Sequence, residues 1–130
     1  MKTLVIGAAI IDIIMKIKRL PKSGEDILCS ETVSAVGGCA YNVAGTLRGF
    51  GVDHDLFVPV GRGMYGDMIA GDLEKLGYQI LIREEESDNG YCLCLVEEDG
   101  ERTFITVKGA EGRFRPSWFE QLSQDAYDSI

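Results

Sequence analysis

The sequence has 130 residues, 45% hydrophobic and 26% charged, which suits one folded domain and excludes a fibrous or disordered chain. Its 21 acidic against 13 basic side chains give a formal net charge of −8, which repels a phosphate backbone, so nucleic acid is not an expected partner. No apolar run reaches the roughly 18 residues of a membrane span, and no small-residue cleavage site follows the opening apolar run, so neither a membrane nor a signal peptide is expected and the setting reads as cytoplasmic.

Lys2 to Ile11 is a nearly continuous apolar run closed by Asp12. That pattern predicts a parallel strand buried on both faces, the kind found in α/β folds. An acid directly after such a strand stands at the carboxyl end of the sheet, where open α/β folds bind ligands. The Asp12 carboxylate can accept two hydroxyl hydrogen bonds from a polyol, or it can cap the turn that follows. The cationic stretch Lys16-Ile17-Lys18-Arg19 has no aromatic residue interleaved and reads as a solvated loop. Lys18 to Asp26, with Pro21, Ser23 and Gly24, continues as loop, and Ile27 to Val36 reads as one or two exposed strands.

Gly37 and Gly38 stand where a loop enters a helix predicted from Cys39 to Phe50, with Ala40, Val43, Ala44 and Leu47 at helical spacing and Gly51 at the stop. Glycines there let backbone approach a ligand, and the free N–H groups of a first helical turn can donate to it. Asn42 projects from that turn with two donors and an acceptor, suited to vicinal hydroxyls of a sugar. A tight turn followed by a helix-packing Asn is an equal alternative.

Leu56 to Val60 is predicted as a short strand, Tyr65 to Leu76 as a second helix with Ile69, Leu73 and Leu76 on one stripe, and Gln79 to Arg83 as another strand. The acidic run Glu84-Glu85-Glu86 with Ser87-Asp88-Asn89-Gly90 reads as a solvated turn. Tyr91 to Val96 and Thr103 to Val107 form a hairpin about Asp99-Gly100. Pro116 opens a short helix to about Gln124, and Tyr127 to Ile130 looks like the start of another strand. Cys29, Cys39, Cys92 and Cys94 form no C-x-x-C pair and are expected to be reduced and structural. His54, the single histidine, reads as a solvated side chain between two acids.

Other chemistries lack their motifs. There is no Gly-x-x-x-x-Gly-Lys-Ser/Thr, no G-x-G-x-x-G after the first strand and no Gly-x-Ser-x-Gly elbow, which argues against a P-loop, a Rossmann dinucleotide site and a hydrolase triad.

Gly37-Gly38, small Ala40, Asn42 and small Ala44, then Gly51 and Gly61, resemble the first signature of the PfkB (ribokinase-like) carbohydrate kinases. The opening strand, Asp12 and the hairpin containing Asp99-Gly100-Glu101-Arg102-Thr103 agree with that order, so the resemblance spans essentially the whole chain. It implies an α/β fold: the N-terminal part, residues 1–130, of one ribokinase-like α/β/α sandwich, with small β lid segments near 13–36 and 90–108. It also implies that Asp12, Gly37, Gly38 and Asn42 hold substrate hydroxyls, and that the lid serves some members as a homodimer surface. Gly63 departs from the pattern, since many members carry an acid there.

The family's Gly-x-Gly-Asp motif, which supplies the catalytic base and anion hole, and its Asn-x-x-Glu motif, linked to magnesium and nucleotide, do not occur in the chain. ATP and Mg2+ are therefore expected to bind mainly a C-terminal half absent here, and this chain alone, with no catalytic or metal-binding residue, is expected to be inactive. The length is expected to be that of a truncated kinase. The expected function is the substrate-binding half of an ATP-dependent kinase acting on a small-molecule sugar or nucleoside. The rival is a non-catalytic sugar- or nucleoside-binding module using the same Asp12 and Asn42 pocket, and a dinucleotide-binding enzyme is a distant third.

Overall fold

A computed structural model describes residues 1–130. In chain order it has strands β1 (Thr3–Ile6), β2 (Ile10–Lys16) and β3 (Glu31–Gly37), helix α1 (Cys39–Gly49), and strands β4 (His54–Phe57) and β5 (Pro59–Gly61). Helix α2 (Met64–Lys75), strands β6 (Ile82–Glu84), β7 (Tyr91–Val96) and β8 (Arg102–Val107), and the short helix α3 (Pro116–Phe119) follow, with single 3-10 turns at Ala110–Gly112 and Gln124–Ala126.

Two sheet systems divide these strands. In the body, β1 runs parallel to β4 with Thr3 opposite His54, and β5 runs parallel to β6 with Pro59 opposite Ile82. Only Val58 separates β4 from β5, so one passage of chain pairs first with β1 and then with β6. On the other side of β1, Ser129 makes a parallel bridge to Thr3 and its carbonyl accepts the Leu4 N–H at 2.9 Å, the strand start expected from Tyr127 onward.

Alternation along the body strands sorts the core. Val5, Leu56 and Val60 pack with Ala40 and Ala44 of α1 and with Ile69 and Leu73 of α2. The intervening residues Leu4, Phe57 and Ile82 form a second cluster on which Trp118, Leu122 and Tyr127 rest. Phe57 is fully buried, and each such large side chain contributes roughly 1.5–3 kcal/mol. The only buried residues of α1 are Ala40 and Ala44. Their small side chains let that helix lie close to the sheet.

The second system is a four-stranded sheet in the order β3-β2-β7-β8. It corrects the strand expected from Lys2 to Ile11. That apolar run is two strands in two sheets, parted by Gly7, Ala8 and Ala9, and Asp12 is the third residue of β2 rather than the residue after a parallel strand. Hydrophobicity is continuous across the break because both strands are packed, so periodicity carries no mark of the corner. The corner follows from the small residues: a Cβ on Gly7 would lie 2.9 Å from the Ala40 Cβ, and Ala9 is fully buried. Residues 17–30 contain no strand, and the stretch expected from Ile27 to Val36 is the single strand β3. The strand expected from Leu56 to Val60 is likewise split into β4 and β5.

The acidic run after β6 is not a solvated turn. Glu84 is buried and pairs with Arg115 at 2.6 Å, while Glu85 at the surface pairs with Arg62. Asp88 accepts the Tyr65 and Gly66 N–H groups at 3.2 and 2.6 Å, capping the first turn of α2 from another segment. The N-cap residue of α2 is Gly63, with φ 140° and no side chain to do this itself. A carboxylate that Gly63 cannot supply thus arrives from Asp88. Asp88→Ala is expected to cost about 1–2 kcal/mol, the worth of a good N-cap, and Asp88→Asn to recover part of it. Thermal melts of the three proteins check this, and coincident curves would show that the cap carries no weight.

His54 is also more engaged than its acidic neighbours suggest. Its ring nitrogens lie 2.7 Å from the Val52 carbonyl and 2.7 Å from the Tyr78 hydroxyl. All four cysteines are free thiols, with Cys92 and Cys94 buried on one face of β7.

Candidate functional site

Asp12 lies in the middle of the second sheet, opposite Ala35 of β3 and Cys92 of β7. In the same register Gly37 faces Ile10, two residues away and on the same face as Asp12. The carboxylate occupies the space above Gly37: a Cβ built on that glycine would overlap Asp12 Oδ2. Gly38 then turns the chain into α1 at φ 102°, and a Cβ there would come within 2.5 Å of the Ala8 carbonyl oxygen. Each glycine is required by a close approach, Gly37 by a side chain and Gly38 by the backbone.

Asp12 is half-buried and makes neither a hydrogen bond nor an ion pair with the rest of the chain. Burial pushes its carboxyl above the ordinary aspartate value. Keeping such a group ionised without a partner costs stability, which is the condition of a side chain whose donors come from a ligand.

The first backbone hydrogen bond of α1 runs from the Asn42 N–H to the Gly38 carbonyl at 3.0 Å. The N–H groups of Cys39, Ala40 and Tyr41 ahead of it have no acceptor in the fold and remain available as donors. The Asn42 side chain is exposed, with its amide unpartnered. It lines a groove of about 610 Å3 that also includes Tyr41, Thr46, Arg48 and Tyr78. The Tyr41 hydroxyl donates to Asp72 at 2.5 Å, and burial together with that bond pushes its phenol up to about 12. A neighbouring groove of about 550 Å3 between β3 and α2 reaches Ala35, which stands opposite Asp12.

The structure thus gathers Asp12, Gly37 and Gly38 at one corner between the two sheets and sets Asn42 one helical turn away. No hydrogen bond joins Asn42 to Asp12. The chemistry available is that of a free carboxylate and of unpaired helix N–H donors, complementary to a ligand that offers both hydroxyl hydrogens and hydroxyl oxygens. No group of three or more His, Cys, Asp or Glu side chains is placed to hold a metal ion. No helix is long and apolar enough to cross a membrane.

Two residues that sequence reasoning passed over tie this corner together. Asn89, 3% exposed, accepts the Gly61 N–H at 2.6 Å and donates to the carbonyls of Ala9 at 3.2 Å and Pro59 at 3.0 Å. Glu111 is also buried, and its carboxylate accepts the N–H groups of Gly90 and Gly109. Neither has a sequence signal: Asn-Gly is the commonest turn dipeptide, and a lone Glu after Gly-Ala has none at all.

The family model that matches is described as pfkB family carbohydrate kinase, and it matches residues 1–129. An uncharacterized sugar kinase of Escherichia coli is 41% identical over 120 residues, covering 92% of this chain and 37% of its own. A ribokinase of Arabidopsis thaliana is 29% identical over 130 residues, covering 97% of this chain and 34% of its own. Among solved structures, a ribokinase from Giardia lamblia superposes with TM-score 0.83 at 27% identity, over 93% of this chain and 40% of that one. The Arabidopsis thaliana ribokinase complexed with ribose and ATP superposes with TM-score 0.74 at 27% identity, over 95% of this chain and 40% of that one. The chain spans between 34% and 39% of the length of the curated relatives it matches.

Proposed function

Because this chain belongs to the pfkB family of carbohydrate kinases, with the ribokinase-like α/β fold, we propose that it is the sugar-holding part of an ATP-dependent sugar or nucleoside kinase. The observation that carries this reading is the unpartnered, half-buried Asp12 carboxylate seated over Gly37 beside the free N–H groups of α1.

In this reading residues 1–130 are the N-terminal part of one ribokinase-like domain. The β3-β2-β7-β8 sheet is the lid, and the sugar lies between it and the start of α1. Asp12 accepts two substrate hydroxyls, the backbone at Gly37 and Gly38 makes room for the ring, and the first-turn N–H groups with the Asn42 amide hold the remaining oxygens. The work of these residues is positioning. A sugar fixed at two or three hydroxyls presents its remaining hydroxyl in one direction, which removes much of the entropic barrier to reaction. Transfer of the γ-phosphoryl group of Mg-ATP to that hydroxyl belongs to a further, C-terminal part of the kind the longer relatives have room for; the Gly-x-Gly-Asp and Asn-x-x-Glu patterns that the family uses for that step do not occur in this chain.

The test is a phosphorylation screen of the full-length protein with Mg-ATP against hexoses, pentoses, nucleosides and deoxy-keto-sugar acids. One substrate class is expected to give ADP and a phosphorylated product together. Sugar binding by calorimetry without any ADP release would replace this reading with a non-catalytic binding module, and absence of both would sink it.

A further inference from the structure

Two buried carboxylates lie away from the sugar face, and they are balanced differently. Glu84 has Arg115 as a counter-ion, whereas no cation lies within ion-pair distance of Glu111. What Glu111 has instead is one glycine amide for each oxygen. Its Oε2 accepts the Gly90 N–H at 2.8 Å and its Oε1 accepts the Gly109 N–H at 2.9 Å. Gly90 is the residue before β7 and Gly109 the second residue after β8, so the carboxylate spans the base of the hairpin that forms half of the second sheet.

That base is drawn tight. A Cβ on Gly90 would lie 2.5 Å from Glu111 Oε1 and 2.8 Å from the Gly109 nitrogen, and one on Gly109 would lie 2.5 Å from the Asn89 carbonyl carbon. Ala110 is fully buried beside it, with its N–H donating to the Asp88 carbonyl at 2.9 Å. The Gly90 peptide then passes the constraint on. Its N–H is held by Glu111, and its carbonyl accepts the N–H of Ile11, the fully buried residue directly before Asp12, at 3.4 Å. Three links therefore lead from the Glu111 carboxylate through the Gly90 peptide and Ile11 to the strand position that presents Asp12.

We propose that Glu111 is a positioning residue for Asp12: its carboxylate, clasped between the Gly90 and Gly109 amides, fixes where the lid strand β2 stands against the body and so where the Asp12 carboxylate meets the substrate. The proposal rests on the reading that a sugar binds at Asp12. It adds that affinity for the sugar is set in part by a buried acid that never touches it. The role suits a carboxylate because one planar group must accept from two donors at once, and charge-assisted bonds of this kind are stronger than neutral ones.

Glu111→Gln keeps the size and one acceptor oxygen but turns an amide NH2 toward the other glycine N–H, leaving two donors face to face. Glu111→Asp keeps the charge on a shorter arm and serves as the milder variant. In the full-length protein, Glu111→Gln is expected to raise KM for the sugar about tenfold with kcat within twofold, the split left by a loss of uniform binding. Hydrogen exchange at the Gly90, Gly109 and Ile11 amides is expected to accelerate at least tenfold, while amides paired between β1 and β4 keep their rates. Glu111→Asp is expected to fall between parent and Gln on both readouts. Faster exchange at Gly90 and Gly109 with unchanged KM would reduce Glu111 to a structural brace, and unchanged exchange would show that the clasp does not hold β2; either result overturns the proposal. A parent protein that binds no sugar overturns the reading beneath it, and exchange at Ile11 then still decides whether Glu111 holds the strand that carries Asp12.

Discussion

Asp12→Ala is expected to lower kcat/KM of the full-length kinase for its sugar by roughly 10^3-fold while leaving the protein folded. A hydrogen bond to a charged group is worth roughly 1.5–3 kcal/mol, and in the proposed function the carboxylate takes two hydroxyls, so the expected loss is about 3–6 kcal/mol of binding. The effect on folding has the opposite sign. Burial raises the Asp12 carboxyl in the folded chain above the ordinary value of 3.8 and nothing in the fold stabilises its charge. A group of this kind costs nothing below its unfolded pKa, where it is neutral in both states, and exerts its full cost above its folded pKa. Asp12→Asn therefore removes a destabilising term at neutral pH and is expected to melt no lower, and somewhat higher, than the parent. Loss of sugar binding together with a gain in stability is the pattern of a residue kept for function. Because burial raises this carboxyl, sugar affinity is expected to fall on acidification at a higher pH than for an ordinary aspartate, since the protonated form can accept less and must donate. Titration of sugar affinity against pH, with Asp12→Asn as a flat control, checks this. An unchanged kcat/KM in Asp12→Ala would remove Asp12 from the site and with it the argument for this corner.

What the sequence revealed and what it hid divide along a physical line. Helices α1 and α2 and the β7–β8 hairpin were legible because each is announced locally, by apolar residues at helical spacing or by Asp-Gly between β-rich runs. The glycine pair was legible as the entry to α1 for the same reason, although its use, ligand approach or tight turn, was not. The passage from β1 to β2 was not. Strands packed in two different sheets are both apolar, and the corner between them depends on Ala40 of a later helix seating against Gly7. The position expected of Asp12 is therefore not the one it occupies. It stands mid-strand over Gly37 rather than at the end of a parallel strand. Asp88, Asn89 and Glu111 were missed because each has a partner that is a backbone group 21 to 80 residues away, and no local pattern encodes which distant peptide a side chain will find.

Asn89→Ala is the substitution expected to cost the most stability, and the reason lies in the backbone it leaves behind. The side chain is buried and fills three roles at once, as acceptor for the Gly61 N–H and donor to the Ala9 and Pro59 carbonyls. Ala9 belongs to the corner between β1 and β2, whereas Pro59 and Gly61 form the ends of β5, so one amide joins the second sheet to the body. Pro59 and Gly61 also show why a side chain is needed at all: the chain at β5 is short, and these polar groups point where no strand is available to satisfy them. Truncation strands three buried groups, and at about 1–2 kcal/mol each the loss is roughly 3–6 kcal/mol, against a total stability of about 5–15 kcal/mol for a domain. For a chain of this size that amounts to a fall of about 10–20 °C in Tm. Asn89→Asp separates hydrogen bonding from volume. It keeps the acceptor for Gly61 but turns a carboxylate oxygen toward two carbonyls, so it is expected to melt at least as low as Asn89→Ala despite its closer shape. A melt of Asn89→Ala within about 2 °C of the parent would mean that water takes over the three bonds, and the junction between the two sheet systems would then rest on the glycine contacts and Glu111.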